Sequence, residues 1–320
     1  MHRQSQLMIL TLIGLVAVVA LSVSGCSRPS STSTSQIPPT GPATPGTPAA
    51  APSAAGGSLQ IKGSDTMVNL GQAWAEAFGA AKGAQVAVTG GGSGTGIAAL
   101  LNSTCDIAES SRKMEGEELT QAKAKGITPK ETIVAMDGLA VVVNPTNPVS
   151  KLTLDQLAGI FTGTIKNWKE VGGKDSAIVL LSREVNSGTH VYFKEHVLRK
   201  NKKDGKEEFA PSALLQPSSQ SIADEVAQNP KAIGYYGMGY LSKEQKAIAV
   251  AKTSAGPYVL PTMQTVTDGT YSISRPLMFY TNGEPTGLVK EYMDYVLSPE
   301  GQKIVEEQEF VPVPKAKAAK

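Results

Sequence analysis

The stretch TIVAMDGLAVVVN, residues 132–144, decides how the fold is interpreted. It is an apolar, largely β-branched run interrupted by Asp137, and it is long enough for one strand to pass from one lobe into another. A second such segment, SISRPLMFYTN at 272–282, follows a region of alternating strands and helices. Two long strands that bracket such a region predict two lobes joined by two crossing strands, with a cleft between the lobes.

Strands and helices also alternate in the first part of the chain. Segments with helical apolar spacing separate three strand-like segments, LQIKGS (59–64), AQVAVTG (84–90) and CDIAES (105–110). This alternation predicts an α/β fold with a largely parallel sheet, in which ligands bind beyond the carboxyl ends of the strands. The predicted lobes are 58–137 with 280–314 for lobe 1, and 138–279 for lobe 2.

Three short loops combine glycine with hydroxyl side chains, namely GSDTM (63–67), GGGSGTG (90–96) and REVNSGTH (183–190). Glycine lets the backbone expose its N–H groups, and Ser and Thr hydroxyls donate hydrogen bonds. The second and third loops each precede a segment typical of a helix, whose N-terminus favours negative charge. Together the loops predict a site for a small oxyanion. The alternatives are that GGGSGTG is a flexible turn and that NSGT is an ordinary helix N-cap.

Composition and charge argue against several other kinds of site. The formal net charge of +2 does not favour nucleic-acid binding, and the lysine-rich segment 315–320 reads as a solvated basic tail. Setting Cys26 aside leaves Cys105 alone, so no disulfide within the folded part is predicted. One of the three histidines, His2, lies in the leader, and the remaining two are too few for a zinc site. No metal and no cofactor are expected.

An enzyme would need a nucleophile and a base. Ser93 or Ser187 could be paired with His190 or His196, but neither serine lies in a G-x-S-x-G elbow and no triad partner is evident. The GGGSGTG loop also lacks the Lys-Ser/Thr ending of a P-loop. The residues therefore favour binding over catalysis, and no catalytic residue is assigned. A serine hydrolase is the least favoured alternative.

The N-terminal segment has the pattern of a secretory leader. Arg3 precedes an apolar run from Leu7 to Leu21, and Val23-Ser24-Gly25-Cys26 matches a bacterial lipobox. We interpret 1–25 as a signal peptide and 26–57, which is rich in Ser, Thr, Pro, Ala and Gly, as a tether lipidated at Cys26. The folded part would be anchored in the cell envelope, facing the periplasm or the cell exterior. The alternative is a transmembrane anchor, although the run is shorter than the ~20 residues that span a bilayer.

An ordered set of motifs carries a family resemblance: GSDTM, GGSGTG, DIAESSRKM, MDGLAVVVNP, SREVNSGTHVYF, AIGYYGMGY and SPEGQKIVEEQ. In this order and spacing they resemble the PstS family, the phosphate-binding proteins of bacterial phosphate ABC transporters. The resemblance implies a class II periplasmic-binding-protein fold that closes on inorganic phosphate and delivers it to a membrane permease with its ATPase. It implies no catalysis, and a monomer is expected. The alternatives are a receptor for another oxyanion, such as sulfate or molybdate, and a phosphate sensor without transport.

The resemblance also implies a set of phosphate ligands: Ser64 and Thr66 in the first loop, Ser93 in the second, and Arg183, Ser187, Gly188 and Thr189 in the third. One branch of the family has, after the third strand-like segment, an aspartate that accepts the phosphate proton. This chain has Ser110-Ser111-Arg112 there, as another branch does. The second branch implies that Arg112 is a further cation and that Asp137 accepts the proton.

Asp137 would favour phosphate over sulfate, because phosphate carries an O–H near neutral pH and sulfate does not. Two alternatives stay open. Asp137 could simply pair with Arg112 at the hinge, as structural ion pairs do. Asp65 could accept the phosphate proton instead, or cap the helix that starts near Val68.

Overall fold

The computed structural model describes residues 57–313. The predicted signal peptide, Cys26, the tether up to its last residue and the basic tail lie outside the described residues, and those assignments stay predictions. Between residues 57 and 313, no helix has the length and apolar character that crossing a membrane requires.

The strands are β1 Ser58–Gly63, β2 Gln85–Thr89, β3 Ile107–Ser110, β4 Pro129–Val143, β5 Lys151–Thr153, β6 Val179–Arg183, β7 Leu214–Gln216, β8 Ala232–Gly237, β9 Lys246–Ala247, β10 Ala249–Ala251, β11 Ser274–Asn282 and β12 Val311–Pro312. The α-helices are α1 Val68–Lys82, α2 Ser93–Leu101, α3 Gly116–Ala124, α4 Leu154–Phe161, α5 Gly188–Phe193, α6 Ser219–Gln228, α7 Met263–Thr267, α8 Gly287–Val296 and α9 Pro299–Glu307. Short 3-10 helices span Asp65–Met67, Trp168–Val171 and Met238–Tyr240, and a π-helical turn, Lys194–Leu198, continues α5.

Strands from both halves of the molecule form one path in the order β2-β1-β3-β11-β4-β8-β6-β7. On one side β1 pairs in parallel with β2 and β3, and on the other β6 pairs in parallel with β7 and β8. In the middle, β11 and β4 run antiparallel to their neighbours. The predicted bilobal α/β fold is confirmed. We use lobe 1 for β1–β3 with α1–α3, α8 and α9, and lobe 2 for β5–β10 with α4–α7.

β4 is the strand that passes between the lobes. Its first part pairs with β11, from Pro129 opposite Asn282 to Gly138 opposite Ser274. Its last residues, Leu139–Val143, pair instead with β8 of lobe 2. The partner therefore changes next to Asp137, which places the carboxylate of that residue at the junction of the lobes.

β11 is the second crossing strand, and most of its length belongs to lobe 1. Leu277 and Phe279 pack in the same core as Trp74 of α1 and Tyr292 of α8. The sequence-based boundary had assigned residues up to 279 to lobe 2. The packing favours a crossing nearer to Ser274, where β11 begins.

Each lobe has its own aromatic core. In lobe 1 the rings of Trp74 and Phe279 meet edge to face, with centroids 5.7 Å apart. In lobe 2, Phe193 stacks on Tyr235 with centroids 3.9 Å apart. Burying a large apolar side chain contributes roughly 1.5–3 kcal/mol, so these separate cores stabilise each lobe by itself. The loops that follow β1, β2, β3, β6 and β8 lie at the strand ends between the two cores.

Candidate oxyanion-binding site

Hydroxyl groups from both lobes converge at the strand ends. The Ser64 hydroxyl donates to Ser111 Oγ at 2.9 Å, and Ser93 Oγ lies 3.4 Å from the same atom. The Thr66 and Thr189 Oγ1 atoms, from opposite lobes, are 2.7 Å apart. All five side chains are buried. We call Ser64, Thr66, Ser93, Ser111 and Thr189 the hydroxyl cluster.

Close backbone packing positions the first loop. The Ser64 N–H donates to the Glu109 carbonyl at 2.9 Å, and the Gly92 N–H donates to the Gly63 carbonyl at 2.9 Å. A side chain on Gly63 would collide with the Glu109 backbone, so glycine is required there. The Glu109 carboxyl is itself buried, and within residues 57–313 its oxygens have no hydrogen-bond partner. Burial raises the pKa of Glu109 well above its usual range.

The third loop brings lobe 2 into direct contact with lobe 1. Ser187 is the N-cap of α5, and its Oγ accepts from the Thr189 N–H at 3.2 Å, which leaves its own O–H able to donate. A Cβ on Gly188 would overlap Ser93 Oγ and would come within 2.8 Å of Ser111 Oγ. The closed arrangement therefore depends on the missing side chain at this position.

His190 anchors the start of α5 rather than serving as a base. Its Nδ1–H donates to the Arg183 carbonyl at 2.8 Å, and the same ring atom lies 3.3 Å from Ser182 Oγ. Ser182 Oγ is in turn 2.7 Å from the Tyr235 hydroxyl. Burial lowers the pKa of His190 to about 4, so the ring is neutral at pH 7.

Neither predicted serine nucleophile has a histidine side chain as its hydrogen-bond partner in the described part of the chain. Ser93 Oγ accepts from the Ser111 N–H, and Ser187 Oγ accepts backbone N–H groups. The His196 ring donates to the Ser272 carbonyl at 2.6 Å. Likewise, no group of three or more His, Cys, Asp or Glu residues within 57–313 converges as metal ligands do.

Arg275 of β11 joins the hydroxyl cluster to the hinge. Its Nε and Nη2 donate to Asp137 Oδ2 at 3.0 and 2.9 Å. Nη2 also lies 3.3 Å from Thr66 Oγ1 and 3.0 Å from Thr189 Oγ1, and Nη1 donates to the Ser111 carbonyl at 3.2 Å. The guanidinium is 1% exposed and therefore almost completely desolvated. One cation thus contacts both lobes and the crossing strand.

The Asp137 side chain extends from β4 and contacts Arg275 of β11 and the start of the 3-10 helix that follows β8. Its Oδ1 accepts from the Met238 N–H at 3.1 Å. Burial raises the pKa of Asp137, while the Arg275 guanidinium and the Met238 N–H act in the opposite direction. The alternative that Asp137 pairs with Arg112 is wrong, because β11 places Arg275 directly opposite Asp137.

Arg112 is paired with a carboxylate of α3 rather than with the hydroxyl cluster. Its Nη1 and Nη2 donate to the two carboxylate oxygens of Glu118, both at 2.7 Å. Nη1 also donates to the Lys113 carbonyl at 2.9 Å. The Glu118 carboxylate therefore binds the planar guanidinium of Arg112, which the family resemblance had assigned to phosphate.

Arg183 reaches the edge of the site, but lobe 2 and Asp65 occupy most of its donors. Nη1 lies 3.0 Å from Ser219 Oγ and 3.1 Å from Asp65 Oδ2. Nη2 donates to the Pro217 carbonyl at 2.9 Å, and Nε donates to the Gln216 carbonyl at 3.3 Å. Asp65 does not cap α1, since no side chain accepts a hydrogen bond at the α1 N-cap. That alternative is also wrong.

Two residues of this site, Ser111 and Arg275, were not predicted as ligands from the sequence. Ser111 lies in a motif that was quoted for the family resemblance, yet it was not assigned as a ligand. Arg275 lies in the segment that was interpreted only as a crossing strand. A cation in an apolar strand, opposite a carboxylate in the other apolar strand, is the signal that points to Arg275.

Comparison with known proteins supports one family. A family model for the PBP superfamily domain matches residues 48–300. The phosphate-binding protein PstS of Pseudomonas aeruginosa PAO1 is 33% identical over 286 residues, covering 84% of this chain and 87% of the relative. PstS of Bacillus subtilis strain 168 is 38% identical over 267 residues, covering 83% of this chain and 84% of the relative.

Solved structures agree with these relatives. A Clostridium perfringens protein assigned as a phosphate ABC transporter substrate-binding protein, solved with bound phosphate, is 34% identical with a TM-score of 0.71. An ABC-type phosphate transport receptor from Vibrio cholerae is 32% identical with a TM-score of 0.64. Both alignments cover 80% of this chain and 100% of the other chain. These relatives are solute-binding transport proteins, and the prediction that the chain is not an enzyme is confirmed. The chain belongs to the PstS family of phosphate-binding proteins, within the PBP superfamily.

Proposed function

We propose that the chain is an extracytoplasmic lipoprotein that binds inorganic phosphate between its lobes and delivers it to an ABC permease. The observation that carries this proposal is the buried Arg275–Asp137 pair, whose guanidinium also contacts hydroxyls of both lobes. A desolvated cation, several hydroxyl donors and one carboxylate suit an oxyanion that still carries a proton. The bound phosphate in the Clostridium perfringens relative supports the same ligand.

The proposed ligand set keeps the predicted groups of the three loops and changes the cation. It comprises Ser64, Thr66, Ser93, Ser187, Gly188 and Thr189, with Ser111 and Arg275 added. Arg275 replaces Arg112, which is paired with Glu118, and Arg183, which contacts Asp65 and groups of lobe 2 rather than the hydroxyl cluster. The Arg275 guanidinium stays charged, and its Nη2, which contacts the Thr66 and Thr189 hydroxyls, would donate to a phosphate oxygen bound among them.

Asp137 is the proposed acceptor for the phosphate O–H. Its Oδ1 accepts one backbone N–H, and a carboxylate oxygen has lone-pair capacity for a second donor. Asp65 is less suited to this role, because its Oδ2 faces Arg183 and the Ser219 N–H. A ligand without a proton, such as sulfate, would leave two anions facing each other in a dry site.

Competition titrations of phosphate against sulfate at one fixed ionic strength test this assignment. Asp137→Asn should lower the ratio of phosphate to sulfate affinity by about tenfold or more, since each tenfold corresponds to 1.4 kcal/mol. Asp65→Asn is the matched control and should leave the ratio unchanged. A ratio that is constant in Asp137→Asn but falls in Asp65→Asn would move the proton acceptor to Asp65. A parent protein that prefers sulfate or molybdate would instead support the alternative of another oxyanion.

Delivery to a permease and anchoring through Cys26 are further parts of the proposal. Cys26→Ser should bind phosphate like the parent but should leave the membrane fraction, because the tether holds hardly a large apolar residue. A variant that stays membrane-bound with its leader attached would support the transmembrane-anchor alternative. Transport is tested by measuring phosphate uptake in cells that lack this chain and in the same cells after the chain is restored. Uptake that is lost and then regained supports a role in transport rather than in sensing alone.

A further inference from the structure

We propose that Asp65 and Asn186 form an interlobe clasp, which holds the cleft closed and slows ligand release without touching the ligand. We call these two residues the interlobe clasp. The inference rests on the proposed function only for the identity of the ligand, phosphate. The clasp itself is carried by contacts between protein groups of the two lobes.

Asp65 belongs to lobe 1, yet its carboxylate contacts groups of lobe 2. Its Oδ2 lies 3.1 Å from Arg183 Nη1 and accepts from the Ser219 N–H, at the first turn of α6, at 2.7 Å. Its carbonyl accepts from the Tyr240 hydroxyl at 2.8 Å. The Arg183 side chain is 1% exposed, so this ion pair is poorly screened by solvent.

Asn186 makes the reciprocal contact from lobe 2 to lobe 1. Its Nδ2 donates to the Gly91 carbonyl at 2.8 Å and to Thr95 Oγ1 at 3.1 Å. Its carbonyl accepts from the Gly94 N–H at 3.0 Å. These three bonds lie on the loop that contains GGGSGTG, beside the proposed ligand Ser93.

The clasp residues adjoin the proposed ligands in the sequence. Asp65 stands between Ser64 and Thr66, and Asn186 directly precedes Ser187. Each loop therefore places hydroxyls toward the cleft and one neighbouring side chain onto the opposite lobe. Closure that aligns the ligands also forms the clasp, so the two events are coupled.

The clasp should act on dissociation more than on association. Contacts present only in the closed state stabilise that state whether or not a ligand is bound. Opening must break these contacts before phosphate can leave, whereas capture by the open form does not require them. A weaker clasp therefore lowers the affinity for phosphate mainly through faster release from the closed state.

The test compares Asp65→Asn, Asn186→Ala and the double variant with the parent. The control is Asp224→Asn, which removes an exposed carboxylate on α6 of lobe 2, where its side chain accepts from Gln220 of the same helix. Phosphate release is followed by stopped-flow chase with excess unlabelled phosphate. We expect each single variant to release phosphate about tenfold faster, with an association rate within about threefold of the parent. Release at the rate of the Asp224→Asn control would overturn the clasp.

A second measurement does not depend on phosphate. Spin labels on the two lobes of the ligand-free protein report the distance between them, and the double variant should lose short distances that the parent and Asp224→Asn retain. Identical distance distributions would overturn the proposal. If the parent does not bind phosphate, the proposed function fails, while the distances still decide whether the clasp exists. Thermal unfolding of each variant identifies any loss caused by misfolding.

Discussion

Replacing Arg275 by glutamine should weaken phosphate binding and destabilise the fold together, because one guanidinium serves both purposes. It donates twice to Asp137, at 3.0 and 2.9 Å, and it contacts Thr66, Ser111 and Thr189. Glutamine keeps a polar side chain of smaller reach but removes the charge. The substitution therefore separates the electrostatic contribution from the mere presence of a donor.

The expected magnitudes follow from the burial of the pair. Asp137 is 0% exposed, and breaking a buried ion pair from one side costs about 3–5 kcal/mol in the free energy of unfolding. The double variant Arg275→Gln/Asp137→Asn removes both charges, so its loss should be about 1–3 kcal/mol smaller than the sum of the single losses. For phosphate, losing a charge-assisted contact should cost about 2–5 kcal/mol, or roughly 30-fold to several thousand-fold in Kd.

Calorimetric titration at one ionic strength measures the Kd, and urea unfolding without phosphate measures stability. Arg275→Lys keeps the charge without the planar fork and should fall between the parent and Arg275→Gln. Arg199→Gln is the matched control, because Arg199 pairs with Glu208 at the surface and such pairs contribute about 1 kcal/mol or less. Parent-like phosphate affinity in Arg275→Gln, or single losses that add fully in the double variant, would refute the assigned role.

Three further predictions concern single positions. Gly188→Ala should weaken phosphate binding at least about tenfold in titrations, because the new methyl meets Ser93 Oγ and Ser111 Oγ; parent-like affinity would contradict this packing. Burial lowers the pKa of His190 from 6.5 to about 4, so the contribution of the neutral ring to the free energy of unfolding is fully present above pH 6.5 and is lost as the pH falls toward 4. This loss is at most about 3 kcal/mol, and urea unfolding of His190→Gln should not show it. The raised pKa of Glu109 works in the opposite sense, giving stability that is complete below pH 4.5 and lost as pH rises. Glu109→Gln should therefore gain stability relative to the parent as the pH rises above 4.5, and a constant difference in urea unfolding would contradict a buried neutral carboxyl.

Much of the fold follows from local patterns. The apolar run at 132–144 lies almost entirely in β4. The helix predicted after the GGGSGTG loop is α2, which begins within that loop at Ser93. Hydrophobic periodicity and glycine positions act over a few residues, so a single sequence can reveal them. The point within β11 at which the chain passes from lobe 2 to lobe 1 was harder to predict from the sequence, because the same apolar strand can pack in either lobe.

The partners of the charged groups could not be predicted in the same way. Asp137 and Arg275 are 138 positions apart and meet only through the antiparallel register of β4 and β11. Arg112 was expected to face the anion, but the orientation of its side chain is set by Glu118 on α3. Asp65 resembled a helix cap, yet its carboxylate pairs with Arg183 and the Ser219 N–H of the opposite lobe. Tertiary placement, rather than local propensity, decides these contacts.

The passage of the chain through β4 and back through β11 also sets the order in which the lobes can be completed during folding. The Trp74 indole N–H donates to the Gly301 carbonyl, a contact that spans 227 positions, and Tyr292 closes the same core. Lobe 2 draws nearly all of its main core from the continuous stretch 139–273. Closing a long loop costs entropy before its contacts form, so lobe 2 should fold first and lobe 1 last. A chain cut before α9 should therefore retain an ordered lobe 2, while the lobe 1 loops at 63–67 and 90–96 would lose the packed core that positions them.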